Sequence, residues 1–372
     1  MLKKNKKIIF FMPFIGGGGV EKNLFIISNY FSTKFKEILI CTHSNEFKYK
    51  FEKNIKFITP YYKISQNINL RIKYFLCLYS LLKFLIKNKD SVVFSFQANI
   101  YCILLCKILN VRIIVRSNSS PSGWYHNSIK KLIYKRIISL ADAVIVNSLD
   151  FKKQMVKQFQ IKVECIYNPL NKSQIIKKAK KGKKDNFFKS KNKCLKIMNI
   201  GRITEQKDQL TILKAVNFLK NKINLKLLIY GRGIEEKNLQ DFIKKKKLNN
   251  IVKIRNFTDN PYGVLKQSDL FILSSKYEGL PNVLLESIAL NKFVISSNCP
   301  TGPREILLNG NGGLMFKVGE YRDLSKQINF FIKNKSKTRS MMKNANKNLD
   351  RFDYKKNLNK YYKFVLSILD IR

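Results

Sequence analysis

The chain has 372 residues and a mass of 43.6 kDa, enough for two domains that each bury a core. Its 45% hydrophobic and 12% aromatic content excludes intrinsic disorder and a small disulfide- or metal-stapled scaffold. The 72 basic against 24 acidic residues leave a formal charge of +48, which directs attention to nucleic acid, anionic membrane surfaces and acidic substrates.

That charge is a weak pointer. Sixty of the basic residues are Lys and only twelve are Arg, beside abundant Asn, Ile, Phe and Tyr; drift toward A/T-rich codons produces this composition without any selected partner. Both halves of the chain are basic. The seven cysteines (Cys41, Cys77, Cys102, Cys106, Cys165, Cys194, Cys299) form no C-x-x-C pair and sit in apolar surroundings, so reduced thiols and a cytoplasmic location are expected. With His43 and His126 as the only histidines, and neither H-E-x-x-H nor D-x-D, no metal site is expected.

In chain order, Lys3–Lys7 followed by Ile8–Ile15 imitates a signal peptide, but no A-x-A-like cleavage site follows. The better parse is a strand at Lys7–Met12, a glycine loop at Gly16–Gly19 and a helix at Glu21–Phe31. Strands are then expected at Glu37–Cys41, Val92–Phe96, Arg112–Val115 and Ala143–Val146. Helices are expected at Ile72–Ile86, Ile100–Leu109, Ser128–Ser139 and Leu149–Phe159. Lysines frame the apolar stretch Arg71–Lys87, which reads equally as an interfacial helix or as a core helix. The longest uncharged run, Ser91–Cys106, is sixteen residues, short of a membrane span.

Asn171–Lys193 holds ten lysines and one acid with almost no apolar period, and reads as a linker or mobile loop. Strands resume at Leu195–Ile200, Lys226–Tyr230, Ile251–Ile254, Leu270–Leu273 and Phe293–Ser296. Their helices are Gln209–Lys220, Ile234–Lys245, Pro261–Lys266, Pro281–Leu290 and Tyr321–Asn334. This alternation predicts an α/β fold of two Rossmann-like domains with parallel sheets facing an interdomain cleft. The expected division is 1–170, the linker 171–193, 194–350, and a helix over 351–372 that packs back toward the N-terminal domain.

The chemistry concentrates in the second half. Glu278-Gly279-Leu280-Pro281-Asn282 through Glu286 places a helix N-terminus at the carboxyl end of a strand, with proline at the first helical position. The backbone N–H groups there, reinforced by the helix dipole, suit a phosphate or diphosphate. Two carboxylates beside such a site would find their partners in hydroxyls; the competing reading is a capping pair with Glu286 solvated. Gly201-Arg202 through Lys207-Asp208 follows the strand Leu195–Ile200 and brings a guanidinium and an ammonium to the same edge if the sheet is parallel. Gly231-Arg232-Gly233 predicts a second tight turn there, with Arg232 open to a purely surface role.

Four blocks in order, Gly17–Lys22, Gly201–Asp208, Glu278–Glu286 and Cys299–Leu307, resemble those of the family 4 glycosyltransferases, which are retaining enzymes of the GT-B fold. The resemblance spans about residues 7–350. It implies that Arg202 and Lys207, beside Gly201, bind a donor diphosphate, with Glu286 on the ribose and Glu278, Gly279 and Leu280 on the transferred sugar and phosphate. It implies further that Asn256 and Phe257 lie near the nucleobase and that Gly18 and Gly19 let backbone approach the donor phosphates. Arg116, Asn118 and His126 resemble an acceptor loop, where His126 is either catalytic or a surface side chain. Asn291 stands where relatives have glycine, and a left-handed Asn is expected there.

The implied activity is transfer of a hexose or N-acetylhexosamine from a nucleotide diphosphate sugar, UDP-linked by first expectation, to a saccharide or polyprenyl-linked acceptor. Retention is expected, no cofactor or metal is needed, and an anionic membrane surface is a candidate partner. The alternatives are a sugar-nucleotide epimerase or phosphorylase on the same fold, or a basic nucleic-acid-binding protein. The last would need arginine-glycine clusters or an aromatic-studded basic sheet, and neither is evident.

Overall fold

The computed structural model describes residues 4–61, 69–118, 128–189 and 193–370. The chain divides into two compact units, Met1–Pro169 with Lys355–Arg372, and Leu170–Tyr354.

The first unit runs β1 (Lys4–Phe11), α1 (Gly19–Ser32), β2 (Phe35–Cys41), β3 (Lys56–Ile58), α2 (Leu70–Lys87), β4 (Val92–Ser95), α3 (Asn99–Ile108), β5 (Arg112–Arg116), α4 (Ser128–Ile138), β6 (Ala143–Val146), α5 (Leu149–Phe159) and β7 (Glu164–Cys165). The strands form one sheet in the order β3-β2-β1-β4-β5-β6-β7, and every pairing is parallel. A parallel sheet is covered on both faces, which is why β1 reads as the unbroken apolar run Ile8–Phe11. Alternate residues serve opposite layers. Ile9, Phe11, Val93 and Val115 pack with Cys77, Leu81, Ile103 and Met155 from α2, α3 and α5. On the other face Phe10 stacks on Phe94 at 5.3 Å and meets the edge of Phe31 of α1 at 5.7 Å.

The second unit continues with α6 (Lys172–Lys181), β8 (Leu195–Ile200), α7 (Gln209–Leu219), β9 (Leu225–Tyr230), α8 (Glu236–Lys245), β10 (Val252–Arg255), α9 (Tyr262–Gln267), β11 (Leu270–Leu273), α10 (Asn282–Ala289), β12 (Phe293–Ser297), α11 (Pro303–Ile306), β13 (Leu314–Phe316), α12 (Tyr321–Lys333) and α13 (Lys335–Lys347). Its sheet has the order β10-β9-β8-β11-β12-β13, again parallel throughout. The last helix, α14 (Tyr354–Asp370), returns to the first unit.

Two arginines of β5 hold α14. Arg112 and Arg116 are four residues apart on a strand and therefore point to the same face. Arg112 donates to the carbonyls of Ile368 and Leu369, both at 2.8 Å, satisfying acceptors that a helix C-terminus leaves open. Arg116 is fully buried; it donates from Nε to Tyr361 Oη at 2.9 Å and from a terminal nitrogen to Asn168 Oδ1 at 2.5 Å. Tyr361 Oη in turn donates to the carbonyl of Ile166 at 3.2 Å.

The lysine-rich segment departs from the expected mobile loop. Residues 172–181 are helical because Asn171 accepts from the Gln174 N–H at 3.0 Å and caps the first turn. Ile175 and Ala179, one turn apart, are buried against α9 and α10. Two apolar residues at helical spacing suffice when the facing surface is preformed, and the five lysines of the helix are exposed on its outer side. Beyond the helix, Asp185 accepts from Tyr230 Oη at 2.8 Å and Arg255 Nε at 2.9 Å, fastening the segment to the ends of β9 and β10.

Burial acts to raise the Asp185 carboxyl, but hydrogen bonds from Arg255, the Phe187 N–H and Tyr230 outweigh it and hold the group below its ordinary value. A lowered carboxylate contributes stability that is present above its unfolded pKa and lost as pH falls through the folded one. Asp185→Asn is expected to remove that acid-side slope from urea midpoints measured between about pH 2 and 5. Arg116→Ala is expected to destabilise the first unit by about 2–4 kcal/mol and to strip amide-exchange protection from α14 first, since its buried partners lose their donor.

Candidate active site

Because all strands of the second unit run parallel, the loops that follow β8, β9, β10, β11 and β12 emerge at one edge. β8 lies between β9 and β11, so the loops after β8 and β11 diverge there. Such a switch point opens a crevice at the carboxyl ends of the strands. The two loops flanking it are Gly201–Asp208 and Ser274–Pro281, which carry the residues singled out from sequence.

Lys207 Nζ pairs with Glu278 Oε1 across this point, and Ser275 Oγ donates to the same carboxylate oxygen at 2.6 Å. Both charged side chains are largely enclosed, at 17% and 9% exposure, so water screens the pair weakly. Four further bonds stitch the loops together. Ser274 Oγ donates to the Lys207 carbonyl at 2.8 Å, the Lys276 N–H to the Gln206 carbonyl at 2.8 Å, Gln206 Nε2 to the Tyr277 carbonyl at 2.9 Å, and Lys276 Nζ to Glu205 at 2.8 Å. Asp208 is the N-cap of α7, with φ of 46° and its carboxylate accepting from Thr211 Oγ1 at 2.6 Å.

The third loop, after β12, locks onto the second. The Glu278 N–H donates to the Pro300 carbonyl at 2.7 Å, and Thr301 returns bonds to the carbonyls of Glu278 and Gly279. Gly302 has φ of +86°, and a Cβ there would sit 2.1 Å from the Gly279 oxygen. Gly231 plays the same part between the loops after β8 and β9, since its Cβ would lie 1.9 Å from the Gly201 oxygen. The tight Gly231-Arg232-Gly233 turn expected from sequence is thus a packing requirement of the site.

Pro281 is the N-cap of α10 and not its first helical residue; its ψ of 106° is extended, and the helix begins at Asn282. Among the described residues no side chain caps α10. Glu286 is 5% exposed, which removes the solvated reading. Arg202 is exposed, with no partner for its guanidinium among the described residues. Asn256 and Phe257 are exposed just after β10, with the Arg232 guanidinium 5.9 Å from the Phe257 ring centre. Asn291 has φ of 57°, the left-handed form expected of it. Buried Cys299, beside this cluster, has its thiol pushed up to about 12, first by burial and then by the Glu278 charge, so it is no thiolate nucleophile at neutral pH.

The expected residues of the first unit fare differently. Arg116 is not a surface ligand: it is fully buried and tied to Tyr361, Asn168 and Asn118, because its role is to anchor α14. Asn118 is held by Arg116 and donates to the Phe96 carbonyl at 2.8 Å. His126 lies outside the described residues. Gly18 is the N-cap of α1 and Gly19 its first residue, while Glu21 fills the space the glycines leave. Its carboxylate accepts from the Gly16 N–H at 3.3 Å and would stand 2.8 Å from a Cβ on Gly18. Ser275 and Thr301 were missed from sequence; hydroxyls directly after an apolar strand and inside the late Gly-Pro loop were the available signal.

Residues 180–349 match the family model described as glycosyl transferases group 1. The chain is 34% identical over 249 residues to an uncharacterized glycosyltransferase of Methanocaldococcus jannaschii, covering 62% of this chain and 61% of that relative. It is 27% identical over 367 residues to the N-acetylgalactosamine-N,N'-diacetylbacillosaminyl-diphospho-undecaprenol 4-alpha-N-acetylgalactosaminyltransferase of Campylobacter jejuni, covering 90% and 95% of the two chains. Among solved structures it superposes on HepE of Anabaena in complex with UDP and glucose with a TM-score of 0.79 at 17% identity, covering 98% and 100%. Sucrose-phosphate synthase from Thermosynechococcus elongatus gives 0.80 at 12% identity, covering 99% and 100%. At these identities the likeness establishes the fold, two Rossmann-like parallel-sheet domains of GT-B type.

If Lys207 and Glu278 act as a coupled pair, their effects on unfolding are non-additive. Lys207→Ala and Glu278→Gln are each expected to cost about 2–3 kcal/mol, with the double variant recovering about 1–2 kcal/mol of the sum in a denaturant-based double-mutant cycle.

Proposed function

From the match of residues 180–349 to the glycosyl transferases group 1 model, we propose that the chain moves a hexose or N-acetylhexosamine from a UDP-sugar to a saccharide carried on a polyprenyl diphosphate. The observation that carries this reading is the Lys207–Glu278 pair at the switch point, on the loops that lead into α7 and α10.

An ammonium has three N–H donors, and Glu278 uses one. The others, with Arg202 and the first N–H groups of α10, suit the charge that grows on a leaving diphosphate. In this reading Glu278 orients the transferred sugar through its hydroxyls while fixing the ammonium. Enclosed Glu286 takes the ribose, Asn282 lies beside the phosphates, and Asn256 and Phe257 take the base. The bond from the anomeric carbon to the phosphate oxygen breaks, and the acceptor oxygen bonds to that carbon from the same face. The acceptor proton leaves with the phosphate, so no protein nucleophile is called for. Arg202 and Lys207 discharge the leaving group, so no metal enters the step. The N-acetylhexosamine option is supported by the similarity to the Campylobacter N-acetylgalactosaminyltransferase.

The test is turnover of UDP-sugars with polyprenyl-diphosphate acceptors, read by product mass. Lys207→Ala is expected to lower kcat by about 100-fold or more, and excess EDTA to leave wild-type turnover unchanged. Full activity in Lys207→Ala would remove that residue from the mechanism, and isomerised donor formed without acceptor would favour an epimerase.

A further inference from the structure

Helices α2, α3 and α4 lie side by side on one face of the first unit's sheet, α3 packing against both neighbours, while α1 and α14 cover the opposite face. A surface helix ordinarily turns polar residues outward. These three do not. The outer stripe of α2 is Ile72, Phe75, Tyr79 and Ile86, with Phe75 70% exposed, at 3.6-residue spacing opposite the buried Cys77, Leu81 and Leu85. On α3 the outer stripe is Tyr101, Leu104 and Ile108, and on α4 it is Ile129, Leu132 and Ile133. Ten large apolar side chains thus form one exposed surface across three adjacent helices, beyond what scattered surface hydrophobics explain.

The helices themselves carry charge of one sign. The three helices contain nine Lys and Arg residues and no acid. Lys73 is buried and Lys107 pairs with Asp142, which leaves a fringe that includes Arg71, Lys83, Lys87 and Arg136. Lys83 lies over the Tyr79 ring at 4.5 Å, an aliphatic stem on the apolar surface with its ammonium at the margin. No described helix is long and apolar enough to cross a bilayer.

We propose that the outer face of α2, α3 and α4 is a docking surface for an anionic lipid bilayer. Its apolar stripes enter the boundary between headgroups and acyl chains, and its Lys and Arg fringe meets lipid phosphates. A second copy of the chain is a poor occupant, because a self-complementary contact would set the basic fringe against itself. Aliphatic side chains dominate the patch, which does not suit stacked bases. The proposal rests on the functional reading only in that a lipid-borne acceptor gives the surface a purpose.

The experiment is flotation of the full-length protein with phosphatidylcholine vesicles or with vesicles that also contain phosphatidylglycerol, at about 150 mM salt to suppress diffuse attraction. Wild type is expected to float with the anionic vesicles. Phe75→Glu/Leu132→Glu is expected to float about tenfold less. The charge-matched control Lys245→Glu, on α8 of the other unit, is expected to float like wild type. The altered positions are exposed, and unchanged thermal unfolding would establish that the variants fold. Wild type staying down with both vesicle types overturns the proposal. So does a control that loses flotation as much as the double variant, which would make the binding diffuse electrostatics, and so does a double variant that floats normally. Loss of a dimer in sedimentation, without any flotation, would assign the face to a second copy and equally overturn it. UDP affinity measured on the same proteins separates the two readings. Intact flotation without UDP binding sinks only the proposed function, and UDP binding without flotation sinks only the docking surface.

Discussion

Everything in the second unit's site depends on one constraint, the uniformly parallel sheet. A parallel strand leaves its carboxyl end at the same edge as its neighbours, so five loops separated by up to about a hundred residues of chain meet without any long excursion. The order β9-β8-β11 then splits the two central loops apart, and the Lys207–Glu278 pair spans that split. An antiparallel β11 would send its turn to the far edge, and Glu278 with it. The backbone has to come close for this to work, which is why Gly231 and Gly302 sit where a single Cβ would strike a neighbouring carbonyl.

The same structure shows how a chain with a charge of +48 handles its cations. Most are on the outside and cost little. Of those that are enclosed, Lys207 has Glu278, Arg116 has Tyr361 and two asparagines, and Lys73 lies over the Phe14 ring at 5.1 Å. Arg202 differs in being exposed and without a partner among the described residues, which makes it available to a ligand. Net charge therefore says little about function here, while the position of particular charges relative to sheet edges and helix ends says a good deal.

Helix α2 illustrates why one segment supports two readings from sequence. Its sequence is apolar nearly all round, which fits a core helix and an interfacial helix equally. The sheet claims the stripe of Cys77, Leu81 and Leu85, and the stripe of Ile72, Phe75 and Tyr79 is left over. Amphipathicity is defined relative to a neighbour, so only the packing distinguishes the inner apolar face from the outer one.

By itself, the sequence determined the alternation of strands and helices, the two-sheet architecture and the loops that hold the site. Those follow from local periodicity and from motifs such as Glu278–Glu286, which are properties of contiguous residues. The structure added what depends on neighbours distant in the chain. It turned the lysine-rich 172–181 into a helix because α9 and α10 offered Ile175 and Ala179 a surface. It took Arg116 out of the ligand set because Tyr361, more than two hundred residues away, is where its guanidinium is satisfied. It joined Lys207 to Glu278 across 71 positions, with Ser275 and Thr301 as supports that no spacing rule announces. Burial and pairing are pairwise quantities. A single strand of sequence states which groups are available, and only the fold states which of them meet.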